Sequence, residues 1–415
     1  MRKRLCIICF LVFTLSQVFS TESSLRGMNG ISNNGNNFVP DFWADTLMVN
    51  PAFATQLEAK WGLHLDNSLR LGISGVRDDV ANTVENRVNF STGVDPMVLI
   101  NFSKFTFGIG GAANFGFSHK DVNGKSSASP YVDAGAEVLF AFDVAEKFKF
   151  GIDAKFIANL DGSLILNGVI TPGILFSFKK NILSIALPIH LAYVDEENLN
   201  GKFRFGVVFV DDLLISDKFT IRIPARADVK LYTTPTTCHV TVPFSAGISL
   251  IGKVNDPLLF FAGVDIGTEF GNASVTIDDE EKEQVNANEE NHFGFTLAPT
   301  LNAGVEAKVL SWFILRTGLS HYFCRNEYHH YDATDLTDEY WKNKFTFIGG
   351  VTWTAGCSFT VGKSVTIDLA ADLQNLEAAF YSKSYNSTDY DYDNKFKLLL
   401  TATVSVFSSK PAEKK

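Results

Sequence analysis

Within HYFCRNEYHHYD, residues 321–332, stand His321, Cys324, His329, His330 and Asp332. Imidazole and thiolate are good zinc ligands, but this spacing matches no established zinc site. His329 and His330 also fall in a stretch that reads as an external loop. The runs DDEEKE (278–283) and STDYDYD (387–393) carry carboxylates of the kind calcium prefers. Neither has the glycine-centred spacing of a calcium loop, so both read as solvated tips. Gly108-Ile109-Gly110, followed by Ala113, imitates a dinucleotide-binding turn. It fails because NFGF continues a strand where a helix would have to begin. Its glycines read instead as places where another segment or a ligand comes close to a wall. No serine, histidine and acid stand out together as a nucleophilic set. We therefore expect no metal, no cofactor and no enzymatic activity.

The charged residues that remain lie on strands. KFTIRIPARADVKL, residues 218–231, places Phe219, Ile221, Ile223, Ala225, Ala227, Val229 and Leu231 on one face. The other face carries Lys218, Arg222, Arg226, Asp228 and Lys230. Each would cost several kcal/mol facing hydrocarbon, whereas facing a watery bore they can pair with acids such as Asp265, Glu269, Glu306, Asp368 and Asp372.

The elements that would position them repeat along the chain. Phe105, Phe107, Ile109, Ala113, Phe115 and Phe117 share a face, as do Phe293, Phe295, Leu297, Leu301, Ala303, Val305 and Ala307. The last segment, FKLLLTATVSVF, behaves likewise. Period-two alternation is the strand signal, and runs of roughly 10 to 15 residues suit tilted strands crossing a bilayer. Connections alternate between long and short. HKDVNGKSSASP precedes VAEKF, VDEENLNGK precedes the tighter DDLLISD, DDEEKEQVNANEEN precedes VLS, and RNEYHHYDATDLTDEYWKN precedes TVGKS. Outer-membrane barrels keep long loops outside and short turns in the periplasm. These features predict an all-β, antiparallel, up-and-down transmembrane barrel of about 14 strands. Alternating pieces at Leu57–Ile73 and Met97–Phe102 would raise the count to 16 if they join the wall.

The start of the chain supports that location. Met1-Arg-Lys-Arg4 and the apolar run Leu5–Leu15 form a secretory signal, with a cleavage site after Ser20. The mature chain then holds 33 basic and 46 acidic residues, a net charge of −13, which argues against nucleic acid as a partner. Cys6 and Cys9 leave with the signal. Cys238, Cys324 and Cys357 are too few and too odd in number for a disulfide framework, and nothing selects a pair among them.

Between the signal and the first strand lies TESSLRGMNGISNNGNNFVPDFWADTLMVNPAFATQLE, which shows no alternation. Pro51 fixes its own φ and pushes Asn50 toward extended backbone. Asn50-Pro51-Ala52 stands just ahead of the first alternating residues. In the signal, this tripeptide and the barrel layout, the chain resembles the FadL-type family of outer-membrane channels for long-chain fatty acids and other hydrophobic compounds. The resemblance implies that the N-terminal segment folds into the bore as a hatch carrying Asn50, Pro51 and Ala52. The expected organisation is a signal at residues 1–20, a hatch at 21–56, the barrel at 57–407 and a polar periplasmic tail at 408–415. The expected activity is uptake of a hydrophobic ligand, fatty acid above all, with Arg222 or Arg226 meeting its carboxylate. A salt bridge within the bore is the plainer role for either arginine. Outer-membrane lipid would surround the barrel, and the acidic, Tyr-rich loops would be available to an extracellular partner. A general diffusion porin, an adhesin or structural barrel, and a membrane enzyme acting on lipid or peptide are the rival readings.

Overall fold

The computed structural model describes residues 36–78, 83–122, 125–159, 165–194, 200–233, 237–255, 257–276, 290–322, 324–332, 340–346, 351–362, 364–374 and 396–408. The expected signal at residues 1–20, the Asn/Gly-rich residues that follow it, the acidic runs at 278–283 and 387–393 and the expected tail from 409 lie outside these residues.

Among the described residues, nineteen strand segments follow one another. They are β1 (Trp61–Asp78), β2 (Thr83–Asn101), β3 (Phe105–Val122), β4 (Lys125–Ala145), β5 (Phe148–Asn159), β6 (Ile165–Ser177), β7 (Asn181–Ala186), β8 (Ile189–Val194), β9 (Asn200–Ser216) and β10 (Phe219–Thr233). Then come β11 (Thr237–Asn255), β12 (Leu258–Thr276), β13 (Glu290–Leu310), β14 (Phe313–Tyr322), β15 (Cys324–Asp332), β16 (Tyr340–Thr346), β17 (Val351–Val361), β18 (Val365–Gln374) and β19 (Phe396–Phe407). Every neighbour pair is antiparallel, and β1 pairs with both β2 and β19, closing the ring. Three pairs of segments are interrupted single strands. β7 and β8 both lie between β6 and β9, broken at Leu187 and Pro188. β14 and β15 both pair with β13, while β17 and β16 follow on their far side. The wall is therefore 16 strands, not 14. The two early alternating pieces are β1 and the end of β2, full members of the ring.

Strand length corrects a second expectation. β4 and β13 run for 21 residues, roughly 70 Å of rise against an apolar band about 25 Å tall. HKDVNGKSSASP, which reads as a long loop, is mostly the continuation of β3 and β4. DDLLISD, which reads as a turn, is the last part of β9. At the other end the connections are tight. Ser103 there adopts a left-handed conformation and takes a 2.8 Å bond from its N–H to Asn101 Oδ1.

Alternation sorts the faces as read. Phe105, Ile109, Phe115 and Phe117 on β3, Phe140 and Phe142 on β4, and Val264 and Ile266 on β12 are exposed on the outside. Asp265, Thr300, Asn302, Ser320, Thr354, Thr401 and Thr403 are buried on the inside. Dozens of outward apolar side chains could not face water in a monomer. The chain is an outer-membrane β-barrel with lipid outside and a polar bore.

Candidate functional site

The buried apolar core of this molecule lies within the ring, where a short N-terminal stretch meets the wall. Asp41 caps a single helical turn at Phe42–Ala44 by accepting from the Ala44 N–H at 2.9 Å. The turn widens through Asp45–Val49, ends at extended Asn50, and resumes as a 3₁₀ helix over Pro51–Gln56. Proline fits that first helical position because its missing N–H would have no partner there.

Three apolar patches hold this stretch against different arcs of the wall. Trp43, Ala54, Leu57 and Ala59 pack on Met97 and Leu99 of β2 and Leu139 and Ala141 of β4. Phe38, Val39 and Ala44 pack on Ile251 of β11 and Phe261 of β12. Val49, Ala52 and Phe53 pack on Leu175 of β6 and Val210 of β9. These wall residues sit close to the tight turns, so the stretch occupies the short-turn end of the bore.

Two polar clamps fix its position. In the first, Arg222 of β10 is fully buried and donates through both terminal nitrogens to Asp45. One of those nitrogens also reaches Asp212 Oδ2 at 3.3 Å. Asp212 and Arg222 stand directly opposite each other across β9 and β10. Asp45 further accepts from the Asn37 side chain at 2.9 Å and from the Asp41 N–H at 3.2 Å. Burial pushes the Asp45 carboxyl up to about 6, only partly countered by the Arg222 charge.

The second clamp is the tripeptide. Asn50 Nδ2 lies 2.7 Å from the Ile174 carbonyl, 2.9 Å from Ser184 Oγ and 3.1 Å from the Ile185 carbonyl. Its Oδ1 accepts from the Ala52 N–H at 2.9 Å. One side chain thus closes its own turn and ties it to β6 and β7. The wall beneath has no side chains. Gly151 of β5 and Gly173 of β6 are cross-strand partners. A methyl group at Gly151 would overlap the Pro51–Ala52 peptide, and one at Gly173 would overlap the Asn50 amide.

Arg222 and Arg226, one face of one strand by sequence, are placed differently. Arg226 donates to Asp228 at 2.8 Å, and Arg204 joins the same carboxylate at 2.7 Å. Neither arginine takes its partner from the acids of later strands suggested by the alternation. Glu306 and Asp368 from that set bind Arg316 instead. Cys357 carries a free thiol, while the side chains of Cys238, Cys324 and the histidines at 329 and 330 lie outside the described residues. No cluster suited to a metal occurs among the described residues.

Further along the bore from this stretch lies a cavity of about 380 Å³. Leu47, Val49, Pro51, Met97, Pro188 and Val208 supply apolar lining. Acids on β1, β2, β4 and β5 supply much of the rest. Trp43 forms part of its floor and stacks on His64 with ring centres 4.6 Å apart. His64 is held in turn by Asp66 at 3.0 Å and Ser405 at 3.1 Å. Sequence reasoning missed Asp212, Ser184, Gly151, Gly173 and Phe38. The Arg222–Asp212 pairing becomes visible once the β9–β10 register is known. The glycine pair has no signal of its own along the chain.

No family model matches the chain, and no curated protein matches it. Among solved structures it is similar to the P. putida toluene transporter TodX, at 10% identity over 93% of this chain and 99% of that one, with a TM-score of 0.47. It is also similar to a Pseudomonas aeruginosa FadL homologue, at 12% identity over 94% and 99%, with a TM-score of 0.45. The Ralstonia pickettii toluene transporter TbuX gives 10% identity over the same shares and a TM-score of 0.40. Likeness of this degree decides nothing about family or cargo.

Proposed function

We propose that the protein is an outer-membrane channel for small hydrophobic molecules, in which the stretch carrying Asn50-Pro51-Ala52 acts as a hatch. The observation that carries this reading is the construction of the bore. A segment fills its short-turn end, held by apolar patches and two separable polar clamps, with a part-apolar cavity directly beyond it. A cavity of this size is in the range that holds a small ligand. Each methylene moved from water onto its apolar lining would contribute about 0.8 kcal/mol. Displacing the Asp45–Arg222 and Asn50 clamps would open a path to the periplasm without unfolding the wall.

The finer expectation, long-chain fatty acids with Arg222 or Arg226 receiving the carboxylate, draws little support from the geometry. Arg222 has no exposed surface and is engaged by Asp45 and Asp212. Arg226 reaches the cavity but already bonds Asp228. Apolar small molecules are the broader class to test.

The experiment compares cells whose lipopolysaccharide leaflet excludes apolar solutes, with and without the protein, for uptake of radiolabelled toluene and hexadecanoate. It is paired with single-channel recording in planar bilayers. Faster uptake of at least one solute, with a nearly closed wild type and an open pore after deletion of residues 21–56, supports the reading. A wild type that already conducts ions like an open pore, unchanged by the deletion, would make it a general diffusion porin.

A further inference from the structure

The cavity beyond the N-terminal stretch has a charge pattern that the proposed uptake of apolar molecules does not require. Asp41, Asp66, Asp95, Glu137, Asp153 and Asp368 line it, against Lys155 and Arg226 as the lysine and arginine of the lining. Register concentrates four of the acids. Asp66 and Asp95 are direct cross-strand partners on β1 and β2, a like-charge pairing that destabilises a sheet by itself. Glu137 of β4 faces Lys155 of β5, and Asp153 stands two residues from Lys155 on the same face. Between β2 and β4, the lumenal face of β3 at this level is Gly108, Gly110 and Ala112, so no bulky side chain screens the acids from one another.

The two cations are already matched. Lys155 Nζ lies 3.3 Å from Glu137 Oε2, and Arg226 bonds Asp228. The acids are not all matched. Asp66 takes bonds from His64 and Thr403, and Asp368 from Arg316 and Ser358. Asp153 is only 9% exposed, lines the cavity, and has an Oδ1 that accepts no hydrogen bond. Asp95 Oδ1 is likewise buried without a donor. A buried carboxylate oxygen without a donor carries a desolvation cost that a ligand's N–H groups would relieve.

From this we infer that the cavity takes amphiphiles with a cationic, amine-type head and a short apolar body, and discriminates against carboxylates. The head sits among Asp95, Glu137 and Asp153, and the body lies against Leu47, Val49, Met97 and Val208. The inference rests on the hydrophobic-channel reading and sharpens its substrate class. An ammonium in the cavity is attracted by the carboxylates of Asp95, Glu137 and Asp153 that line it, while a carboxylate adds a further negative charge to an acidic wall whose lysine and arginine are already paired.

The test uses the mature protein in a maltoside detergent, with hexylamine, hexanol and hexanoate as probes of matched tail, bound at pH 7 and followed by saturation-transfer NMR. We expect hexylamine to bind at least about tenfold tighter than hexanoate, the scale of one charge-assisted hydrogen bond. Asp153→Asn, nearly isosteric, should bring the amine-to-carboxylate ratio toward one. Glu137→Gln should lower that ratio as well. Heat-modified mobility of the folded barrel on gels confirms that each variant is intact. Hexanoate binding as tightly as hexylamine, or a preference unchanged in Asp153→Asn, would overturn the inference while leaving the apolar channel standing if hexanol binds. Failure of all three probes to bind overturns it together with that channel reading.

Discussion

Two arginines point into the same bore and are used in opposite ways. Arg316 on β14 binds Glu306 of β13 at 2.7 Å, Asp368 of β18 at 3.1 Å, and Ser358 of β17. All its partners belong to the wall, so the network staples neighbouring strands. Arg222 on β10 binds one acid of the wall, Asp212, and one of the inner segment, Asp45. Its network joins two bodies that share only a short piece of chain. The contrast separates stability of the ring from docking of what fills it, although the chemistry of both sites is a buried guanidinium between carboxylates.

The sharpest way to break the comparison is to neutralise each arginine in turn. Arg222→Gln leaves Asp45 and Asp212 buried without their cation, a loss of about 3 to 5 kcal/mol borne mainly by docking. Planar-bilayer recordings should then show an open pore, and protease should reach residues 36–56, while the barrel keeps its heat-modified mobility. Arg316→Gln should do the reverse, lowering the temperature at which the barrel unfolds on gels without adding conductance. Equal effects of both variants on conductance would show that the wall and the segment open as one unit.

The second clamp tests whether docking depends on charge alone. Gly173→Ala puts a methyl group into the Asn50 amide, an overpacking cost of about 1 to 3 kcal/mol. Asn50→Ala strands the carbonyls and hydroxyl that the amide serves, at a similar cost of about 1 to 3 kcal/mol. Both should raise the frequency of pore openings below the level of Arg222→Gln. The double variant should be less than additive, because both changes strike one contact.

The smallest effect is a pH response. Asp45 rises from the ordinary carboxylate range to about 6 when docked, because burial outweighs the relief from Arg222, with Asp212 and Asp41 adding to the rise. The docked state therefore binds the proton more tightly than the released one. Its advantage is complete below about pH 4 and is lost as pH climbs through 6. Between pH 5 and 7 docking should weaken by roughly 1 kcal/mol, seen as more frequent openings at the higher pH. Asp45→Asn should remove that dependence.

Much of the wall was legible along the chain. Phe105 to Phe117 and Phe293 to Ala307 declared which side meets lipid, because a pleated strand turns alternate residues to opposite faces. The strand count fell short because the early pieces at β1 and β2 flank an unalternating stretch and their partners were not obvious. Loop lengths were overestimated because strands that leave the membrane keep pairing where alternation fades, as in β3, β4 and the end of β9. Asn50-Pro51-Ala52 drew notice as a turn, while its receptacle did not. Gly151 and Gly173 stand more than 90 residues away on two strands, and bare glycines signal nothing until something lies on them.

The amino-acid sequence by itself determined the faces of the strands and the rigid bend at Pro51, since each depends on neighbours only a few positions apart. The closed ring, the Asp45–Arg222–Asp212 triad and the acidic cavity were decided by the tertiary structure alone. Closing β1 on β19 sets the radius and register of every strand, and only that geometry brings charges 177 positions apart within bonding distance in a space too dry to leave them unpaired.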